Sequence, residues 1–177
     1  MLAALQAALK ANPKHVPSML LGVEHSISAE DYDGALKQID AIKAVNPWQP
    51  EAWAYAAVIA NLRNQADTEK AARANALKYW TNNPKVDWLI GKLLAEKYRF
   101  KEGSEYLRKA LASDAPYAPA KAELGSTLLR LGQEEEGWKI VSEVAAADPF
   151  DIEAFNLTTL RDTLNKYAIL KDENFVL

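Results

Sequence analysis

Slid against itself by the offset that carries Pro50 onto Pro84, the sequence brings matching residue types together at many positions. Gly91 falls on Gly125, Gly103 on Gly137 and Leu94 on Leu128. Leu107 falls on Val141 and Ala110 on Val144. A fixed period of this size constrains a chain more than any single motif. Each repeat is one supersecondary unit that cannot bury its apolar face alone, so it must stack on its neighbours. The frame starts units at Val16, Pro50, Pro84, Ala118 and Ile152. The units are rich in Leu, Ala, Glu, Lys and Val, most of which favour helix.

A helix-turn-helix unit of about 34 residues resembles the tetratricopeptide repeat. The unit from Val16 supplies Met19, Asp31-Tyr32 at the turn, Ala35, Ile39, Ile42 and Pro47. The unit from Pro50 opens with Trp53 and Ala57. The unit from Pro84 carries Ile90-Gly91, Leu94, Phe100, Gly103, Leu107 and Ala110. The unit from Ala118 carries Leu124-Gly125, Leu128, Gly137, Val141, Val144 and Pro149. The resemblance covers residues 1 to 166 and implies an all-α fold. Its form is a right-handed α-solenoid of antiparallel helix pairs, about four full repeats with a half repeat at each end. Residues 1–15 then read as a trailing second helix, and residues 167–177 as an extended linker into a further domain. The apolar opening MLAALQAALK is unusual for an exposed array end, so the chain reads as a piece of a longer one.

The stretch AELGSTLLRLGQEEEGWKIVSEVAAADP places Gly125, Gly132 and Gly137 in otherwise helical text. A helix-interior glycine costs about 1 kcal/mol against alanine. Gly125 and Gly137 are expected where paired helices approach closely. Gly132 is expected to end a helix as its C′ residue. One second helix departs from the pattern: DTEKAARANALKYW fits only after a slip of two or three residues, which implies a longer turn at NQADT.

The rest of the sequence narrows the chemistry. Net charge is -3, and no basic stripe invites nucleic acid. There are no cysteines, so thiolate catalysis and cysteine-based zinc sites are excluded from this segment. His15 and His25 do not form an HExxH arrangement, and no GxxxxGK[ST], GxGxxG or GxSxG occurs. Glu134-Glu135-Glu136 opens a helix, where carboxylates suit the N-terminal dipole. No apolar run approaches the ~18 residues of a membrane span, and the N-terminus reads as an amphipathic helix rather than a leader. No catalytic residue, metal site or cofactor is expected, and composition leaves the compartment undetermined. Asn156-Leu157-Thr158 spells a glycosylation sequon, but it falls within a helical stretch.

The resemblance further implies a concave groove lined by the first helix of each unit. Carried over by place, the lining comprises Leu20, Glu24 and Ile27, then Ala54, Val58 and Asn61. Lys85, Trp88, Lys92 and Glu96 follow, then Ser126, Leu129, Arg130 and finally Asn156. Trp88 between two lysines is the candidate anchor, because aromatic residues dominate many interfaces. Equally, Trp88 fits a seam between neighbouring units. The relatives that clamp a C-terminal carboxylate also need paired Asn residues, which are missing here, so that clamp is not expected. Trp48, Trp53, Tyr32 and Phe100 are expected to pack in core or seam, as are Trp80 and Trp138 on second helices.

The leading expectation is a non-catalytic scaffold that binds a protein or peptide, or orients adjoining domains of its own chain. Nucleic acid and membrane insertion are not expected; contact between copies through the two half repeats is a further option. The alternative starts from FNLTTLRDTLNKYAILKDENFVL. It resembles the junction between tetratricopeptide units and a gluzincin-type metallopeptidase-like domain, which would make this chain a scaffold attached to a downstream zinc peptidase-like domain.

Overall fold

The computed structural model describes residues 2–167, so the expected linker after Tyr167 lies outside the described residues. Ten helices and no strand occur among them. They are α1 (Leu2–Ala11), α2 (Val16–Ser28), α3 (Tyr32–Val45), α4 (Pro50–Leu62) and α5 (Ala66–Ala76). Then come α6 (Pro84–Glu96), α7 (Phe100–Ser113), α8 (Ala118–Arg130), α9 (Glu134–Ala147) and α10 (Ile152–Leu164). The helices form two compact units, residues 1–117 with α1 to α7 and residues 118 onward with α8 to α10.

The sequence period is visible in the backbone. The first helices begin at Val16, Pro50, Pro84, Ala118 and Ile152, and the second helices at Tyr32, Ala66, Phe100 and Glu134. Each pair is joined by three residues, and the middle one is left-handed: Glu30 (φ 63°), Asn64 (56°), Tyr98 (62°) and Gly132 (71°). The amide after it bonds back to the last turn of the first helix. Asp31 N donates to Ser26 O, Gln65 N to Ala60 O, Arg99 N to Leu94 O and Gln133 N to Leu128 O, each at 2.9 Å. This is the Schellman closure, which satisfies carbonyls that the helix end leaves open. Gly132 meets the expectation of a C′ residue.

In the first unit the core is built from Val23, Ile27, Ile39, Ile42, Val58, Ile59, Ile90, Leu93 and Leu94, all at most 1% exposed. Each such side chain contributes about 1.5–3 kcal/mol by leaving water. The α6–α7 pair closes on two glycines. A Cβ built on Gly91 would stand 2.8 Å from the Gly103 carbonyl oxygen, and one on Gly103 would stand 2.9 Å from the Gly91 carbonyl oxygen. In the second unit the α8–α9 pair is similarly close: a Cβ on Gly137 would stand 3.2 Å from Leu129 N, and one on Gly125 2.9 Å from Val141 Cγ2. There α10 packs on α9 through Ala154 and Leu157, and Arg161 donates to Ser142 Oγ at 2.6 Å.

The irregular second helix does not behave as its sequence suggests. α5 starts in frame after a three-residue turn like the others, so there is no slip and no longer turn. The departure is at the other end. α5 stops at Ala76 after 11 residues, where α3, α7 and α9 have 14. The place that holds Gly103 and Gly137 in other units holds Glu69 here. Its carboxylate accepts from Asn61 Nδ2 at 3.1 Å and from the Tyr106 hydroxyl. A hydrogen-bonded carboxylate therefore replaces the small-residue contact. The shortened helix leaves Trp80 in the following connector and 60% exposed, not on a helix. Trp48 is also exposed; its ring meets Tyr79 edge-on at 4.8 Å.

α5 is also tied to α6 by charge. Arg73 holds Asp87 through two bonds, Nε to Oδ1 at 2.6 Å and a terminal nitrogen to Oδ2 at 2.7 Å. Only 2% of the Asp87 side chain is exposed, so the forked guanidinium replaces nearly all its hydration.

Candidate functional site

A hollow of about 290 Å³ opens between the first helices of three successive repeats. α2 contributes Pro17, Leu20, Leu21 and Glu24; α4 contributes Glu51 and Tyr55; α6 contributes Lys85, Trp88, Leu89 and Lys92. The repeat explains the set. Pro17, Glu51 and Lys85 share one place in the frame, and Leu21, Tyr55 and Leu89 share another.

Two ion pairs bracket the hollow. At one end Lys85 Nζ meets Glu51 Oε1 at 2.7 Å, while Gln49 Nε2 donates to the other oxygen of Glu51. At the other end Lys92 Nζ meets Glu24 Oε1 at 2.9 Å, and the Tyr55 hydroxyl donates to Glu24 Oε2 at 3.2 Å. Glu96 adds a second carboxylate 3.5 Å from Lys92. The pairing of Glu24 with Lys92 crosses α4. Glu24, Val58 and Lys92 share one place in the frame, and Val58 on α4 is fully buried while the Glu24 and Lys92 side chains meet each other.

The electrostatics favour the charged forms of Glu51 and Lys92. Burial opposes charge on Glu51, but the Lys85 hydrogen bond, the backbone and Gln49 together hold its carboxyl below the usual range. Desolvation likewise opposes the Lys92 ammonium, and Glu24 followed by Glu96 outweighs it and raises the pKa. Burial, reinforced by Glu24, pushes the Tyr55 phenol far up, so it remains a hydrogen-bond donor.

Trp88 stands between the two lysines, half-buried. Its ring meets Tyr117 edge-on with centroids 6.1 Å apart, and Lys92 Nζ lies 5.9 Å from its centroid. It is thus both packed on one side and open to the hollow on another.

Of the residues carried over by place, Leu20, Glu24, Lys85, Trp88 and Lys92 line this hollow, and Glu96 flanks it. Ile27, Ala54 and Val58 do not: they are fully buried in the core, where a partner cannot reach them. Asn61 is turned toward Glu69 on the second helix. In the second unit, Ser126 is buried and Leu129 packs over Gly137, while Arg130 and Asn156 are exposed. Place-by-place reading missed Glu51, Tyr55, Leu21 and Leu89. The period itself could have found Glu51, one repeat from Lys85, whereas Leu21, Tyr55 and Leu89 share a place that the carried-over set leaves out altogether.

No group of three or more acidic or His side chains that could hold a metal occurs among the described residues. His15 Nδ1 instead lies 2.8 Å from Ser18 Oγ. No described helix is long and apolar enough to cross a membrane.

No family model matches the chain, and no curated protein matches it. Solved structures do. TTC0263, a thermophilic TPR protein of Thermus thermophilus, superposes with a TM-score of 0.66 at 15% identity, covering 92% of this chain and 89% of its own. PilF of Pseudomonas aeruginosa gives 0.54 at 16% identity, covering 84% of this chain and 70% of its own. YrrB, a TPR protein with an unusual peptide-binding site, gives 0.51 at 18% identity, covering 92% of this chain and 84% of its own. With its described helices in consecutive pairs, the fold is that of tetratricopeptide-repeat proteins.

Proposed function

We propose that this chain is a non-catalytic interaction scaffold, and that the hollow between α2, α4 and α6 holds an extended segment of a protein partner. The observation that carries this is the placement of Trp88. It is fixed by Tyr117 on one side, and between the two ion pairs its ring lines the hollow. An aromatic ring already ordered by packing loses little entropy on binding and offers a large contact area. The peptide-binding site of YrrB, a protein with this fold, supports the same reading. Leu20 and Tyr55 also line the hollow.

The test is selection from a library of random peptides against the whole chain, followed by titration of the Trp88→Ala variant. Peptides that bind the parent and lose at least about tenfold in affinity to the variant, about 1.4 kcal/mol, support the site. Peptides that bind both equally place recognition elsewhere.

A further inference from the structure

A second recess, of about 270 Å³, opens on a different face of α4, between α3 and α5. It shares no lining residue with the hollow between α2, α4 and α6. Leu36, Trp53, Ala56 and Ile59 make its apolar surface, and its α5 side is uncharged, with Thr68, Ala71 and Asn75. Lys43 and Arg63 are the charged residues of the lining, and no carboxylate belongs to it. The chain as a whole carries a net charge of -3, so this lining runs against its overall sign.

The cations stand at the two ends. Lys43 Nζ lies 4.6 Å from the ring centroid of Trp53, near the start of α4, and Arg63 follows the last residue of that helix. Ten residues separate Trp53 from Arg63, about 15 Å of helix at ~1.5 Å per residue. A third cation joins at the end where α3 and α5 finish. Lys78 Nζ lies 4.7 Å from the ring centroid of Trp48 and 5.4 Å from that of Tyr79, and both rings are exposed. Lys78 has no carboxylate partner among the described residues. Lys43 and Arg63 do have partners, Asp40 at 2.8 Å and Asp33 at 2.6 Å. Those aspartates are 74% and 81% exposed, so the pairs contribute little and an incoming carboxylate can replace either one. On α3, Asp33 and Asp40 balance Lys37 and Lys43. On α5, Glu69 and Arg73 are turned to Asn61, Tyr106 and Asp87, and Asp67 offsets Lys70. Arg63 and Lys78 therefore leave the face net positive.

We infer that this recess docks an acidic segment of a partner protein, with a large apolar side chain against Leu36, Trp53 and Ala56 and carboxylates on either side of it. The volume lies just under that of small-molecule sites and suits a protruding side chain. An extended chain covers the about 15 Å between the cations in about five residues, at ~3.3 Å each. Lys43 and Lys78 are already seated against aromatic rings, so they lose little freedom when a carboxylate arrives. The recess is a second docking surface, and it stands or falls separately from the hollow that holds Trp88.

The probe is a labelled nonapeptide with a central Phe, Glu at two positions on each side and Ser elsewhere, titrated against the whole chain by fluorescence anisotropy. One twin carries Lys in place of Glu, and another carries Ser in place of Phe. The acidic peptide is expected to bind at least about tenfold tighter than either twin, and more weakly as salt is added. Lys78→Glu and Ala71→Glu, both at exposed positions, are expected to weaken it at least about fivefold with the helical content unchanged. Trp88→Ala is expected to shift its affinity less than about twofold. Equal binding of the acidic and basic peptides, or no binding at millimolar concentration, overturns the inference. So does a loss on Trp88→Ala without one on Ala71→Glu, which moves the ligand to the other hollow. Binding of the chain to phosphatidylserine vesicles without binding of the peptide makes the occupant a membrane and overturns it too.

Discussion

Glu24 and Lys92 stand 68 residues apart in the chain and 2.9 Å apart in space. That is two full repeats, so the pair joins α2 to α6 across α4. A second link also joins these repeats: Lys97 Nζ donates to Ser28 O at 2.9 Å and to Glu30 at 3.1 Å. Both partners of the first pair are about one-quarter exposed, which limits what each can contribute. A double-mutant cycle with Glu24→Gln and Lys92→Met is expected to give a coupling of about 1 kcal/mol. A coupling indistinguishable from zero would show that the pair orients side chains without holding the helices.

Glu51 predicts a pH dependence. Its folded pKa lies below the ordinary carboxyl value of 4.5, so its contribution to stability is complete above that value. It is lost as pH falls through the folded pKa, because the unfolded chain then binds more protons than the native one. The stability gap between the parent and Glu51→Gln should be constant from about pH 6 to 8 and shrink below about pH 4.5. Denaturant midpoints across that range measure it; a gap that widens on acidification contradicts the assignment.

Arg73 and Asp87 predict an asymmetry. The Asp87 side chain is 2% exposed and that of Arg73 is 32% exposed. Arg73→Met strands a buried carboxylate and should cost about 3–5 kcal/mol. Asp87→Asn leaves a guanidinium that can turn toward water, so it should cost less. Chemical denaturation of both variants decides the order.

The glycines predict a difference in kind. Gly125→Leu must force a side chain against Val141, and overpacking of this sort costs about 1–3 kcal/mol or more. Gly132→Ala meets no atom within 4 Å but must keep a φ of 71°, at a cost of about 1 kcal/mol. The first loss should exceed the second in thermal or denaturant unfolding. The reverse order would mean that the helix contact yields more easily than the turn.

Trp88→Ala should leave the helical content unchanged and lower stability by less than the ~3–5 kcal/mol of a fully buried aromatic, because the ring is only half-buried. Circular dichroism and a denaturation curve check both points. A loss in the full range would assign Trp88 to packing against Tyr117 rather than to a ligand.

The sequence alone determined the pairing of helices and where each unit starts. The three-residue turn before α5 was read as longer than it is, whereas the glycine contacts of the units from Pro84 and Ala118 recur at the repeat period, so self-comparison reveals them. Gly91, Gly103, Gly125, Gly132 and Gly137 were all legible for that reason. The misplaced residues have a different origin. Ile27 and Val58 occupy groove places by count, yet burial depends on how deeply neighbouring repeats cover each helix, and both are in the core. Glu69 occupies a glycine place, and only the approach of Asn61 and Tyr106 shows why a carboxylate is tolerated there. The bond between Glu24 and Lys92 joins residues two repeats apart, and Tyr55 of the intervening α4 donates to the same carboxylate. A repeat frame assigns each residue its place within its own unit; the distance between side chains of units once removed is set by packing through the unit between them.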